Sequence, residues 1–160
     1  QIYNRRHWQD SLEQEYAKAR RHDKKLSLLM LDLDHFKLLN DNYGHQGGDM
    51  VLIEVSALIS TLLRVEDTFG RYGGEEFAII LPETDSAGAM ELAHRICRII
   101  ATTPLAYNNQ VINVTVSLGV AQLSAKESNY EELITQADSA LYKAKFQGRN
   151  QVCSAPELVS

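Results

Sequence analysis

The chain has 160 residues, 44% hydrophobic and 23% charged, the size and balance of one globular domain with a sizeable core. A formal net charge of −5 argues against a general nucleic-acid binder, while leaving room for a few local Lys and Arg to hold a small phosphorylated ligand. Cys97 and Cys153 stand at no metal-type spacing and read as reduced thiols. No run of about 18 apolar residues marks a membrane span, and no signal peptide is visible.

In chain order, RRHWQDSLEQEYAKARRHDK is an amphipathic helix with Trp8, Leu12, Tyr16 and Ala19 on one face. LSLLMLDLDHF is a continuous apolar run that acquires acids at its end, which suits a buried strand with Asp32 and Asp34 at its C-terminal edge. GGDMVLIEVSALISTLL is a helix with Leu52, Val55, Leu58, Ile59 and Leu62 inward. DTFGRYGGEEFAIILP reads as a β-hairpin turning at Gly73-Gly74, two positions expected to take positive φ. SAGAMELAHRICRIIATT is a helix. VINVTVSLGVAQL is one alternating strand with Ile112, Val114, Val116, Leu118 and Val120 on one face. NYEELITQADSALYKAKFQG is a helix stopped by Gly148, and RNQVC adds an edge strand. There is no repeat or linker, so residues 1–160 read as a single domain. The fold class is α+β: a ferredoxin-like βαββαβ core, with a mostly antiparallel sheet of about five strands and helices packed on it.

That order brings two sets of acids to one place. The strand ending at Asp32 and the hairpin at Glu75-Glu76 are candidate sheet neighbours, with Asp32, Asp34, Glu75 and Glu76 at their tips. Clustered carboxylates repel unless a cation holds them, and oxygen-only ligands suit Mg²⁺ or Mn²⁺. Such ions often act in pairs on phosphate. Gly73 and Gly74 let the backbone approach a bulky ligand. The bland alternative is solvated acids at strand ends, which describes any one of them better than it describes the set. The histidines His7, His22, His35, His45 and His94 have no spacing that suggests zinc.

RYGGEEF resembles the signature of the GGDEF family, the diguanylate cyclases, in its GGEEF form. LDLDHFKLLNDNYGHQGGDMVL is similar to that family's D-x-D-x-F-K-x-x-N-D-x-x-G-H-x-x-G-D-x-x-L segment at every fixed position. NVTVSLGVA, ADSALYKAKFQGRNQV and YNRRHW resemble further motifs, so the likeness covers nearly the whole chain. The family's D-x-L-T-G-L lead-in is missing before YNRRHW. The expectation is a cytoplasmic domain forming the C-terminal part of a longer regulatory protein, which can itself be a membrane-anchored sensor.

The resemblance implies a palm-like fold shared with adenylyl cyclases and polymerases. It implies condensation of two GTP into cyclic di-GMP with release of two pyrophosphates. The 3′-hydroxyl of one GTP attacks the α-phosphate of the other, so a homodimer is needed. Asp32, the Leu33 carbonyl and Glu75 would hold two Mg²⁺ or Mn²⁺ ions, with Glu76 as base or further ligand and Asp34 supporting the loop. N–H groups near Phe36 and Lys37 would face the β- and γ-phosphates, with Lys145 and Arg149 neutralising the terminal ones. Asn40 and Asp49 would read guanine, whose N1–H and 2-amino group adenine lacks; without the resemblance they read as helix caps. Arg64 and Asp67 in RVED match the family's R-x-x-D product-inhibition motif, with Arg95 as a further arginine, so cyclic di-GMP is expected as inhibitor as well as product. The other function class is a catalytically silent module that binds cyclic di-GMP or GTP and signals to a partner. The full set of signature residues favours the enzyme.

Overall fold

In the computed structural model, which describes residues 2–125 and 129–156, the chain opens with helix α1 (Arg5–His22). Asn4 caps it by accepting from the His7 N–H at 2.9 Å, and Trp8, Leu12, Tyr16 and Ala19 are its buried face. Strand β1 (Leu26–Leu33) is buried at every position, as an apolar run without alternation requires. Helix α2 (Phe36–Ser60) follows, then strands β2 (Thr68–Arg71) and β3 (Glu76–Pro82) and helix α3 (Ser86–Thr102). Strands β4 (Leu105–Tyr107), β5 (Gln110–Ile112) and β6 (Val116–Gln122), helix α4 (Tyr130–Phe146) and strand β7 (Val152–Ser154) complete it.

Five strands form one sheet in the order β2-β3-β1-β6-β7. All neighbours are antiparallel except β6 and β7. The ferredoxin-like βαββαβ core therefore stands, with β1 at its centre. Residues of β1 alternate between two cores. Leu29, Leu31 and Leu33 face Val51, Val55, Ile59, Ile96 and Ile100 from α2 and α3. Leu28 and Met30 face Trp8, Leu12, Ala137 and Leu141 from α1 and α4.

Three expectations need correction. The first is the single strand over 111–123: it is broken at residues 113–115, and the part before the break pairs with β4 in a separate hairpin. Asn108 and Asn109 turn that hairpin in left-handed conformation, at φ 48° and 62°. The alternation still holds, and Ile112, Val114, Val116, Leu118 and Val120 are all buried. The second concerns α2: the short helix expected to begin at the DHFK turn and the helix over 47–63 form one element that starts at Phe36, bends at Gly44 (φ 74°, ψ 171°) and ends at Ser60. On it Leu52, Val55 and Ile59 are buried, while Leu58, and Leu62 just past the helix end, are only half-buried. The third is Gly73-Gly74, for neither glycine has positive φ. Instead the Tyr72 and Gly73 N–H groups both donate to the Glu76 carbonyl, at 2.8 and 3.1 Å, and close the turn without left-handed backbone.

Candidate active site

The antiparallel register puts Asp32 of β1 opposite Glu76 of β3 on one side and Ser117 of β6 on the other. The Leu33 N–H donates to the Glu75 carbonyl at 3.3 Å. The hairpin tip and the end of β1 thus meet at one end of the sheet. Asp32 is buried, and one of its oxygens accepts from Nζ of Lys145. Its other oxygen, Oδ1, is buried with no partner among the described residues. Burial pushes the Asp32 carboxyl above its ordinary pKa against the opposing pull of Lys145, and the charges of Glu75 and Asp34 add to the rise. Glu76 is likewise raised, first by burial and then by Asp138 and Asp32.

Asp34 is buried and saturated. It accepts from Thr115 Oγ1 at 2.7 Å, Ser117 Oγ at 2.6 Å and the Asn150 N–H at 2.9 Å.

The signature turn is tied from both sides. The Arg71 guanidinium donates to the Gly73 and Gly74 carbonyls, with Nε at 3.3 and 2.9 Å. The Tyr72 ring lies edge-on to Trp8, and the Arg5 guanidinium stacks 4.1 Å from its centre. A Cβ at Gly74 would meet nothing within 4 Å, and one at Gly73 only the Glu76 side chain, at 3.4 Å and beyond. The fold itself does not demand these glycines. Their smallness leaves space outside the chain.

The reverse holds on α2. A Cβ at Gly48 would fall 1.8 Å from Asn40 Oδ1, and one at Gly47 would fall 2.6 Å from Cβ of Tyr43. The bend at Gly44 therefore folds the Asn40 side chain against the backbone that leads into Asp49. Asn40 Oδ1 is buried without a partner among the described residues, whereas Asp49 is exposed. Neither residue caps a helix. His35 (φ 56°) is the N-cap of α2 and offers no side-chain bond, so backbone N–H groups of the first turn, near Phe36 and Lys37, lack a side-chain cap. Phe36 is half-buried and Lys37 is exposed.

Lys145 lies on Asp32, and Arg149 is exposed in a left-handed conformation (φ 66°). Arg64 is heavily engaged. Its Nη2 donates to Asp67 Oδ1 at 2.8 Å, the Pro82 carbonyl at 3.0 Å and Thr84 Oγ1 at 2.8 Å. Asp67 also accepts from the Arg64 backbone N–H at 2.9 Å. The R-x-x-D pair is a closed turn beside Pro82, at the opposite end of β3 from Glu76, while Arg95 is exposed on α3.

Sequence reasoning missed Asp138, whose charge raises Glu76, and the Thr115, Ser117 and Asn150 anchors of Asp34. Asp138 stands seven residues before Lys145 on α4, two helical turns along one face, and that spacing is the signal that could have found it. Among the described residues, no group of three or more His, Cys, Asp and Glu side chains stands ready to hold a metal. The donor chemistry nevertheless fits a hard divalent cation: Asp32 Oδ1 is an orphaned buried carboxylate oxygen, and Glu75 is close enough to add to its pKa rise.

The profile of a family described as "Diguanylate cyclase, GGDEF domain" matches residues 1–151. The chain is 40% identical over 150 residues to the Probable diguanylate cyclase DgcC of Escherichia coli, covering 94% of this chain and 40% of that protein. It is 37% identical over 153 residues to the Response regulator PleD of Caulobacter vibrioides, covering 94% of this chain and 34% of that protein. The chain thus spans well under half the length of these relatives. The active GGEEF domain of a diguanylate cyclase from Vibrio cholerae superposes with TM-score 0.92 at 34% identity, covering 99% of this chain and 100% of that one. The GGDEF domain of DgcB from Caulobacter crescentus, solved in complex with c-di-GMP, gives TM-score 0.94 at 33% identity, with 98% and 90% covered. With its signature at one end of a ferredoxin-like sheet and its match running from residue 1 to residue 151, this chain belongs to the GGDEF domain family of diguanylate cyclases.

Proposed function

We propose that this domain condenses two GTP into cyclic di-GMP, releasing two pyrophosphates. The observation that carries this reading is Asp32, with one buried carboxylate oxygen unpartnered and the other on Lys145, at the end of the sheet it shares with Glu75 and Glu76. Asp32, the Leu33 carbonyl and Glu75 would hold two Mg²⁺ or Mn²⁺ ions, which stabilise charge on the reacting phosphate.

The guanine is read by Asn40, whose Oδ1 is free to accept, and by Asp49. The triphosphate lies along Gly73-Gly74 and meets the backbone N–H groups near Phe36 and Lys37. Glu76, with its proton affinity raised by burial, takes the 3′-hydroxyl proton. The freed oxygen bonds to the α-phosphorus of the second GTP, and the bond from that phosphorus to the pyrophosphate oxygen breaks. Lys145 exchanges Asp32 for phosphate, and with Arg149 it neutralises the leaving pyrophosphate. One domain holds one GTP, so two copies face each other. In the cell the setting is the cytoplasm, as part of a longer regulatory protein.

Cyclic di-GMP also acts back on the domain through Arg64, Asp67 and Arg95. Arg64 must give up Thr84 and the Pro82 carbonyl to take a guanine edge. Equal affinity for the dinucleotide in wild type and Arg64→Ala would refute that part.

The test of the main reading is GTP turnover with Mg²⁺, after stripping bound dinucleotide, with products resolved by chromatography. Wild type is expected to make cyclic di-GMP and Glu75→Ala to make none. Intact GTP binding without product, even in a forced dimer, would favour a silent binding module.

A further inference from the structure

Three consecutive residues after α4 have positive φ: Gly148 at 119°, Arg149 at 66° and Asn150 at 47°. Only the first is glycine, and left-handed backbone is unfavourable for other residues unless the surroundings hold it. The run is pinned at each residue. The Gly148 N–H donates to the Lys145 carbonyl at 3.4 Å and the Arg149 N–H to the Ala144 carbonyl at 3.0 Å. The Asn150 N–H donates to Asp34 Oδ2 at 2.9 Å. The first two contacts are ordinary closure of a helix end. The third reaches across more than a hundred residues to a buried carboxylate.

That carboxylate is itself fixed. Thr115 Oγ1 donates to the same Oδ2, and Ser117 Oγ donates to Oδ1. The Asp34 N–H donates to the Thr115 carbonyl at 2.9 Å. Asn150 has a second restraint, because its Oδ1 accepts from Cys97 Sγ at 3.6 Å. The Arg149 guanidinium, by contrast, has no hydrogen bond or ion pair among the described residues. A strained backbone locked by a buried acid carries a free cation.

We propose that Asp34 is a positioning residue: its carboxylate, by holding the Asn150 N–H, holds Arg149 in the left-handed conformation from which its guanidinium meets the terminal phosphates. Because Asp34 lies next to Leu33 in the chain, the same carboxylate fixes the relative placement of the ion-binding end of β1 and the phosphate-binding arginine. The inference rests on the reading of Arg149 as a terminal-phosphate contact, and the experiment separates the two.

The measurement is binding of two probes to the whole domain with Mg²⁺. One is 3′-deoxy-GTP, which carries all three phosphates but lacks the attacking hydroxyl. The other is GMP, which lacks the terminal phosphates. Asp34→Ala and Arg149→Ala are each expected to weaken 3′-deoxy-GTP by about tenfold, the worth of one charge-assisted contact, and to leave GMP unchanged. The double variant should be no weaker than Arg149→Ala alone, because Asp34 acts through that arginine. Asp34→Asn keeps an acceptor for the Asn150 N–H and should retain most of the affinity.

Equal weakening of both probes by Asp34→Ala, or additive losses in the double variant, overturns the inference in favour of a merely structural acid. Loss in Asp34→Asn as large as in Asp34→Ala overturns the hydrogen-bond account. If Arg149→Ala leaves the preference for 3′-deoxy-GTP intact, the phosphate reading itself falls and takes the inference with it. Should Asp34→Ala lack a cooperative melt, Thr115→Val replaces it. That variant removes one anchor of the same oxygen, and the selective loss should be about two- to threefold.

Discussion

Glu76 carries its charge in a half-buried place that Asp138 and Asp32 make more negative. Lys145 and Arg5 offset only part of that. Glu76→Gln keeps the shape and removes the charge. It is expected to raise the melting temperature of the metal-free domain by a few degrees while abolishing turnover, the exchange of stability for function seen at strained sites. Calorimetry in a chelator, beside the turnover assay, checks both halves; a lower melting temperature would mean that the carboxylate makes a contact worth more than the repulsion. Asp32, Glu75 and Glu76 were legible in the sequence because they interrupt apolar runs, where a charge needs a reason. Asp138 was not, since an acid on an exposed helix face reads as a solvated one, and only the sheet brings it near Glu76. Of the two roles expected for Gly73-Gly74, the left-handed turn is absent and the open space beside the chain is present. Gly73-Gly74 has no left-handed backbone to supply, while Gly48 leaves the space that the Asn40 side chain occupies.

At the level of elements, α4 lies so close on β6 that a Cβ at Gly119 would fall 2.2 Å from both the Ala137 carbonyl oxygen and the Leu141 nitrogen. Backbone cannot rotate aside as a side chain can. Gly119→Ala should cost about 3 kcal/mol or more in urea unfolding, because the whole helix must lift from the sheet. It should also weaken nucleotide binding, since Lys145 rides on that helix. A variant with wild-type stability would show that α4 is not seated as tightly as described. The sheet's central strand and the four helices followed from periodicity and apolar runs. The β4–β5 hairpin did not, although Asn108-Asn109 is the kind of dipeptide that turns a two-residue hairpin with both φ positive. Unbroken alternation concealed the strand end, because the inward side chains stay in phase through residues 113–115 while the ladder stops. The Gly44 bend was hidden for a similar reason: one kinked helix and two helices joined by a loop leave nearly the same apolar pattern.

For the whole molecule, the two cores lie on opposite faces of one sheet, and the candidate site lies at one end of its central strands. If the chemistry joins two GTP held by two domains, specific activity should rise with protein concentration until a dimer saturates. Fusing a dimeric coiled coil to the N-terminus should remove that dependence. Activity per molecule that is flat across dilution in the unfused domain would contradict the need for an opposing copy. No helix among the described residues is long and apolar enough to cross a membrane. Motif spacing made the site's parts visible from sequence, but not the lysine seated on Asp32 or the closed Arg64–Asp67 turn, because both depend on side chains choosing partners after the fold has formed.

The pairing of Asp32 with Ser117 joins residues more than half the chain length apart. β1 is made early and sits in the middle, yet one of its two neighbours, β6, arrives late. A ribosome must therefore finish most of the domain before its acid has walls on both sides. Distant pairings of this kind must be closed before they are rewarded, and across small domains they go with slower folding. Until then Asp32 has only Glu76 opposite it, and Asp34 still lacks Thr115, Ser117 and Asn150.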